Sequence, residues 1–311
     1  MLPKTKKFTV AVIVLVVLLG VALSVEFSQK NSTGSAYTKE GAFFDRQREF
    51  RVPLNEEDAP LHMPEYPIDV SDIASKRVIG GVVPHHLLAS DFLAEFFQLT
   101  AAQSNSPKII LLLSPNHFES GAANIQTADL LWHTPYGSIQ TDPDVLAQLL
   151  QVTNAEITPQ SFEAEHGVYN ILPYIAHFLP EAKVVPIILR YKTSSEEIAA
   201  LVSFLKPLVE KGEVFVVGSV DFSHYLSKTE SDRKDAETLQ AMKSHDLSRI
   251  ARFQSDHLDS PATILTLLQL ANETGANDIR ILRHDNSADG TRGSHDSTTG
   301  HFSFFLTGKN K

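Results

Sequence analysis

The alternation of hydrophobic and polar positions divides the chain into three stretches. Residues 8–25 carry no charge and are mostly Val, Leu, Ile and Ala. Residues 27–75 are polar and mixed: Asn31-Ser32-Thr33-Gly34-Ser35 opens them, and Pro53, Pro60, Pro64 and Pro67 follow. From residue 76, short β-branched runs alternate with helical patterns. The apolar runs at 78–83, 109–113, 184–189 and 214–220 are nearly continuous, as expected of central strands covered on both faces. Helical patterns fall at about 87–102, 143–152, 165–179, 194–210, 229–246 and 260–272, with Asp142-Pro143 and Ser260-Pro261 as N-cap-plus-proline starts. Residues 279–282 and 302–306 read as closing strands, and 284–301 as a long loop beside the site. The alternation predicts an α/β fold, a single αβα domain over residues 76–311 with a mostly parallel central sheet, preceded by an N-terminal hydrophobic helix.

Lys4, Lys6 and Lys7 precede the first apolar stretch, whose eighteen residues would reach about 27 Å as a helix. Residues 1–26 are therefore expected to be a signal anchor or, given Ala22-Leu23-Ser24, a cleaved signal peptide. Residues 27–75 read as a stalk and an extended arm. The domain is expected outside the cytoplasm, held to the membrane by the N-terminal helix or secreted.

Hydrophobic residues make up 42% and charged residues 21%, enough for a sizeable core. There are no cysteines, which removes disulfides, thiolate metal sites and a cysteine nucleophile. Beyond residue 30 the chain holds 23 basic and 36 acidic side chains, a net of −13. So acidic a domain does not suit a phosphate backbone, and nucleic acid is excluded as a partner. A Gly-x-Ser-x-Gly elbow, a Walker loop, a Gly-x-Gly-x-x-Gly after the first strand and a His-Glu-x-x-His helix are all missing.

Chemistry enters where strands end. Val82-Val83 runs into Pro84-His85-His86, Leu112-Leu113 into Ser114-Pro115-Asn116-His117, and Gly218-Ser219-Val220 into Asp221-Phe222-Ser223-His224. Ligands of open parallel sheets sit beyond the carboxyl ends of the strands, so three imidazoles are expected at one edge. Imidazole serves there either as a metal ligand or as a general acid/base. Asp221, three residues before His224, could orient an imidazole. Glu165-His166 opens a helix, where His166 could meet an anionic ligand or simply lie at the surface. In Ser255-Asp256-His257-Leu258-Asp259-Ser260-Pro261, His257, Asp256 and Asp259 are further candidate ligands, while Asp259 and Ser260 also read as helix caps.

In order and spacing, Gly81-Val82-Val83-Pro84-His85, Ser114-Pro115-Asn116-His117, Thr134-Pro135-Tyr136-Gly137, Glu165-His166-Gly167, Asp221-Phe222-Ser223-His224 and Asp259-Ser260-Pro261 resemble the Memo family, whose prokaryotic members are called AmmeMemoRadiSam system protein B. The resemblance covers about residues 76–308. It implies a fold similar to the extradiol non-haem iron dioxygenases of the protocatechuate 4,5-dioxygenase type, with His85 and His117 as metal ligands and Asp221 and His224 as a pocket pair, His224 standing where the dioxygenases keep an acid/base histidine. The animal member, linked to signalling-peptide binding and metal-dependent redox chemistry, has a cysteine as third ligand, for which His257 is the nearest equivalent here. Many members carry Glu-His-Ser-x-Glu where this chain has Glu165-His166-Gly167-Val168-Tyr169, and the hydrophobic N-terminus is not typical of them.

The expected function is a mononuclear non-haem metal-dependent oxidoreductase of dioxygenase ancestry. His85, His117 and His257 would bind the metal, His224 and Asp221 would be catalytic, and His166, Glu165 and Asn116 would contact substrate. Donors without sulfur suit a divalent metal, Fe(II) first, with Zn, Mn or Cu as alternatives. The competing expectation is a non-catalytic extracytoplasmic module binding metal or peptide; in either case the ligand is a small molecule or a peptide.

Overall fold

The computed structural model describes residues 48–53, 63, 69–289 and 295–310, all within one compact unit, Phe44–Lys311. Along the chain the strands are β1 (Arg48–Arg51), β2 (Lys76–Val83), β3 (Ile109–Pro115), β4 (Ile125–Thr127), β5 (Leu130–Thr134), β6 (Gly137–Gln140), β7 (Glu156–Ile157), β8 (Lys183–Leu189), β9 (Phe215–Ser219), β10 (His224–Leu226), β11 (Asp278–Asn286) and β12 (Thr298–Lys309). The helices are α1 (Ser71–Ala74), α2 (Ser90–Ala101), α3 (Pro143–Val152), α4 (His166–Tyr169), α5 (Leu172–Phe178), α6 (Ser195–Glu210), α7 (Lys228–Lys243), α8 (Leu247–Ile250) and α9 (Pro261–Thr274).

The fold is mixed α/β around a nine-stranded sheet, ordered β10-β12-β2-β9-β3-β8-β4-β7, with β11 also paired to β12. Its centre, β2-β9-β3-β8, is wholly parallel. Antiparallel β12 and β4 continue it on either side. The apolar runs become these central strands because both faces are covered. Leu111, Leu113, Val185, Ile187 and Val216 enter one core with Leu146 and Leu149 of α3, Leu201 and Leu205 of α6, and Ile264 and Leu268 of α9. Their neighbours Ile110, Leu112, Val184, Ile188 and Val217 enter a second core with Leu93, Phe96 and Phe97 of α2 and Tyr174 and Ile175 of α5. Period-two alternation thus gives three layers. Trp132, fully buried, belongs to the second core, where a small β1-β5-β6 sheet packs.

Two expectations change in detail. The helix expected over 165–179 breaks into α4 and α5, because Pro173 has no N–H to donate and starts a new first turn. The loop expected over 284–301 is shorter, since β11 runs to Asn286 and β12 begins at Thr298.

The expected membrane anchoring and extracytoplasmic location are corrected. Among the described residues, no helix is long and apolar enough to cross a membrane. Residues 1–26, which carried that expectation, lie outside the described residues, as does most of 27–75.

Register positions the site. Val83 pairs with Ser219, and Leu113 with Gly218, so β2, β9 and β3 end level with one another. The segments bearing His85, Asp221 and His117 leave the same edge of the sheet.

Candidate metal centre

His85 is buried, and its backbone is held from both sides: its N–H donates to Asp221 Oδ1 (3.0 Å), and its carbonyl accepts from Asn170 Nδ2 (3.0 Å). After β3, the Asn116 side chain closes the loop by donating to Ser120 O (2.8 Å) and accepting from Ser120 N (3.0 Å). His117 follows. Glu165, fully buried, accepts from the His117 N–H (2.9 Å) and sits 2.6 Å from His117 Nδ1. It also caps α4 by accepting from Gly167 N (3.0 Å). Gly167 is required there: a Cβ would stand 2.2 Å from Ser114 Oγ. Glu165 and Asn116, both expected at a substrate, thus act on the protein itself, although Asn116 also lines the adjoining groove.

These contacts fix which ring nitrogens are bare. Ser219 Oγ donates its one hydrogen to Gly167 O (2.6 Å), so its 3.0 Å contact with His85 Nδ1 requires the ring to donate. His117 Nδ1 faces a carboxylate and must also donate. Both neutral imidazoles therefore carry hydrogen on Nδ1 and a lone pair on Nε2. Those Nε2 atoms point at one oxygen, Asp259 Oδ2, at 3.2 Å from His85 and 3.7 Å from His117. Asp221 Oδ2 lies 3.4 Å from the same His85 Nε2. Lone pairs and carboxylates facing one another in a buried site repel unless a positive charge lies among them, a proton on the imidazole in the metal-free protein or a metal ion in its place.

The third imidazole is His166, whose ring stacks on that of His117 at 4.0 Å and meets that of His85 edge-on at 5.2 Å. Ligand atoms of His85, His117 and His166 lie within 4.8 Å of one another, and so do those of His85, Asp221 and Asp259. His257, the expected third ligand, is not among them. Its ring lies flat on Phe253 (4.0 Å, 6°), with Nδ1 2.9 Å from Asp256 and Nε2 3.4 Å from Glu237, so both nitrogens are engaged away from the centre. Asp259 is not the cap of α9; Ser260 is, accepting from Thr263 N. The Asp259 carboxylate instead accepts from the Asp221 N–H at Oδ2 (3.2 Å) and faces the imidazoles with that oxygen, while its Oδ1 is buried with no hydrogen-bond partner.

The electrostatics agree with a site built for positive charge. Burial works against a charged His117, yet hydrogen bonds to Asp259 and Glu165 push it up to about 10. His85 is also raised: burial opposes the charge, and Asp221 and Asp259 outweigh it. Burial, then repulsion from His117 and His85, holds His166 down at about 4. Burial would raise Asp259, but the charge of His85 and hydrogen bonds from His117 and His85 hold it well below the usual carboxylate range. Surroundings that draw protons onto buried imidazoles favour a cation.

A groove of about 280 Å³ opens on the centre, lined among others by Asn116, His117, Arg190, Tyr191, His224, Tyr225 and Asp259. His224 is half-buried with Nδ1 unpartnered. Tyr191 and Tyr225 stand exposed at the groove, and Tyr225 is held at φ 60°. Arg190 is paired to Glu119 (2.9 Å). His301, at the end of the stretch expected as a loop beside the site, was not singled out by the sequence. It is buried on β12 with Nε2 unpartnered, and burial holds it at about 4.

The Memo family model, described as a Memo-like protein, matches residues 54–304. The chain belongs to the Memo family. It is 27% identical over 249 residues to a "MEMO1 family protein" of Ignicoccus hospitalis, covering 78% of this chain and 87% of that one. A "MEMO1 family protein" of Pyrobaculum arsenaticum is 29% identical over 240 residues, covering 74% and 84%. An uncharacterized protein of Escherichia coli K12 aligns structurally with TM-score 0.46 and 12% identity, covering 68% of this chain and 91% of that one. Among the described residues of this Memo-family chain, His85, His117, His166, Asp221 and Asp259 form the groups that could bind a metal.

Proposed function

We propose that this Memo-family chain binds one divalent metal through His85, His117 and His166, with Asp259 as the adjacent carboxylate, and uses it as a metal-dependent oxidoreductase. One observation carries the reading: two Nε2 lone pairs, each fixed by a hydrogen bond at the opposite ring nitrogen, converge on one carboxylate oxygen. The donor set fits a metal, because the orphaned Asp259 Oδ1 and the facing lone pairs both gain a partner from a cation. Nitrogen and oxygen donors favour Fe(II), with Zn, Mn or Cu as alternatives. When bound, such a metal supplies Lewis acidity and redox capacity.

The protein's own groups supply the rest. Glu165 and Ser219 orient the ligand rings. His224, which lines the groove, is placed to take or return a proton of a bound small molecule. Asp221 holds the His85 backbone and adds negative charge.

The test is anaerobic loading of untagged protein with Fe(II), followed by oxygen uptake with a catechol probe such as protocatechuate. The oxidoreductase reading expects uptake that His224→Ala abolishes while metal content is retained. Stoichiometric metal with no uptake on any probe supports a metal-binding module instead.

A further inference from the structure

Asp235 is fully buried in the otherwise polar helix α7, and the chemistry proposed above does not use it. Its Oδ1 accepts from the backbone N–H of Ser223 (3.2 Å), and His284 Nε2 faces its Oδ2 at 3.1 Å. Around it Ser223 Oγ meets Ser231 Oγ at 2.5 Å, and Asn286 Nδ2 donates to Ser231 Oγ (2.7 Å) and Thr298 Oγ1 (3.1 Å). Thr298 Oγ1 in turn donates to Leu226 O (3.0 Å). Gly300 completes the pocket: it donates to Ser223 O (2.8 Å), and a Cβ there would stand 2.1 Å from Asp235 Oδ2. On the outer side His284, exposed, lies flat on Phe302 (3.9 Å, 5°).

Four of these bonds, from Asp235, Ser231, Thr298 and Gly300, end on one turn, residues 221–226, and those of His284 and Asn286 brace the groups that make them. From it Asp221 lies against His85 and His224 lines the adjoining groove, and Tyr225 sits there in a left-handed conformation that its surroundings must impose. We propose that Asp235 and His284 are positioning residues for His224: a buried carboxylate, oriented by an imidazole, that clamps Ser223 and so sets where the neighbouring His224 ring stands in the groove. The proposal deepens the reading above, because it assigns the support of the group that would move the proton. A buried polar network confers such rigidity when every member is satisfied, and loses it when one is not.

Histidine ring resonances of the metal-free protein test this, in parent, Asp235→Asn, His284→Phe and His284→Gln. His284→Phe keeps the stack on Phe302 and removes the donor; His284→Gln restores a donor. The expected result is that the His224 ring signals, assigned with His224→Ala, shift and broaden in Asp235→Asn and His284→Phe and return to the parent position in His284→Gln. Zinc affinity should change far less than the His224 signals, since the proposed ligands His85, His117 and His166 all lie outside the turn. His284 is half-exposed, so its two variants carry the test even if Asp235→Asn does not fold. Parental His224 signals in His284→Phe, identical behaviour of Phe and Gln, or a parallel collapse of zinc binding would each overturn the proposal. Failure of the parent to bind metal would overturn the metal reading and leave the His224 result standing.

Discussion

His117 Nδ1 lies 2.6 Å from Glu165 Oε1, and the same carboxylate accepts the His117 backbone N–H and caps α4 through Gly167 N. One buried side chain therefore fixes the ring, the backbone and the helix bearing His166. Glu165→Gln keeps the size and the cap but loses the charge. It should lower metal affinity about 10- to 100-fold, the usual cost of losing a ligand's outer partner. Isothermal titration with zinc reads this; parental affinity would mean that Glu165 does not orient the ligand.

Gly167→Ala tests the close packing behind that bond. Its Cβ would meet Ser114 Oγ at 2.2 Å, Glu165 Oε1 at 3.0 Å and His117 Cε1 at 3.3 Å. Overpacking of this kind costs about 1–3 kcal/mol. Urea unfolding should show the loss, and adding Ser114→Ala should recover part of it. No recovery would place the strain elsewhere.

His257→Ala should bind metal as the parent does. Its ring is committed to Phe253, Asp256 and Glu237, so the expected effect is a loss of about 1 kcal/mol of stability. A large drop in metal content with unchanged thermal stability would return His257 to the centre.

Stability of the metal-free protein should peak near neutral pH. Unfolded histidines titrate at about 6.5. His117, pushed up to about 10, and His85, also raised, keep protons in the folded state that the unfolded state gives up, so stability is full below 6.5 and falls as pH rises toward 10. His166 and His301, held at about 4, refuse protons that the unfolded state takes, so stability also falls as pH drops from 6.5 toward 4. Saturating zinc should remove the alkaline fall, because metal replaces the proton. Thermal melts with chelator and with zinc, from pH 5 to 9.5 in steps, check both limbs; a chelated protein that gains stability between pH 7 and 9 would contradict the assignment.

Much of this was legible in the chain. Continuous apolar runs marked β2, β3, β8 and β9, and the residues just past β2, β3 and β9 mark the edge where the centre lies. What sequence could not show depends on contacts between distant segments. His257 lies near the position of the family's cysteine, but Glu237, twenty residues earlier, draws its ring away. Asp259 reads as a cap until Ser260 is seen to do that work. His166 gave no sign of choosing the centre over the surface, since the choice depends on stacking against His117. His301 and Asp235 were hidden by context, one in a stretch read as loop and the other in a helix rich in charged residues.

The central claim is that the converging Nε2 atoms of His85 and His117 hold a metal. The direct measurement is metal content and affinity of untagged protein, parent against His85→Ala/His117→Ala, with circular dichroism confirming that both are folded. The account predicts one divalent metal per chain in the parent and essentially none in the double variant, with His166→Ala in between. A parent that binds no metal from a full divalent panel, or a double variant that binds as the parent does, would contradict it.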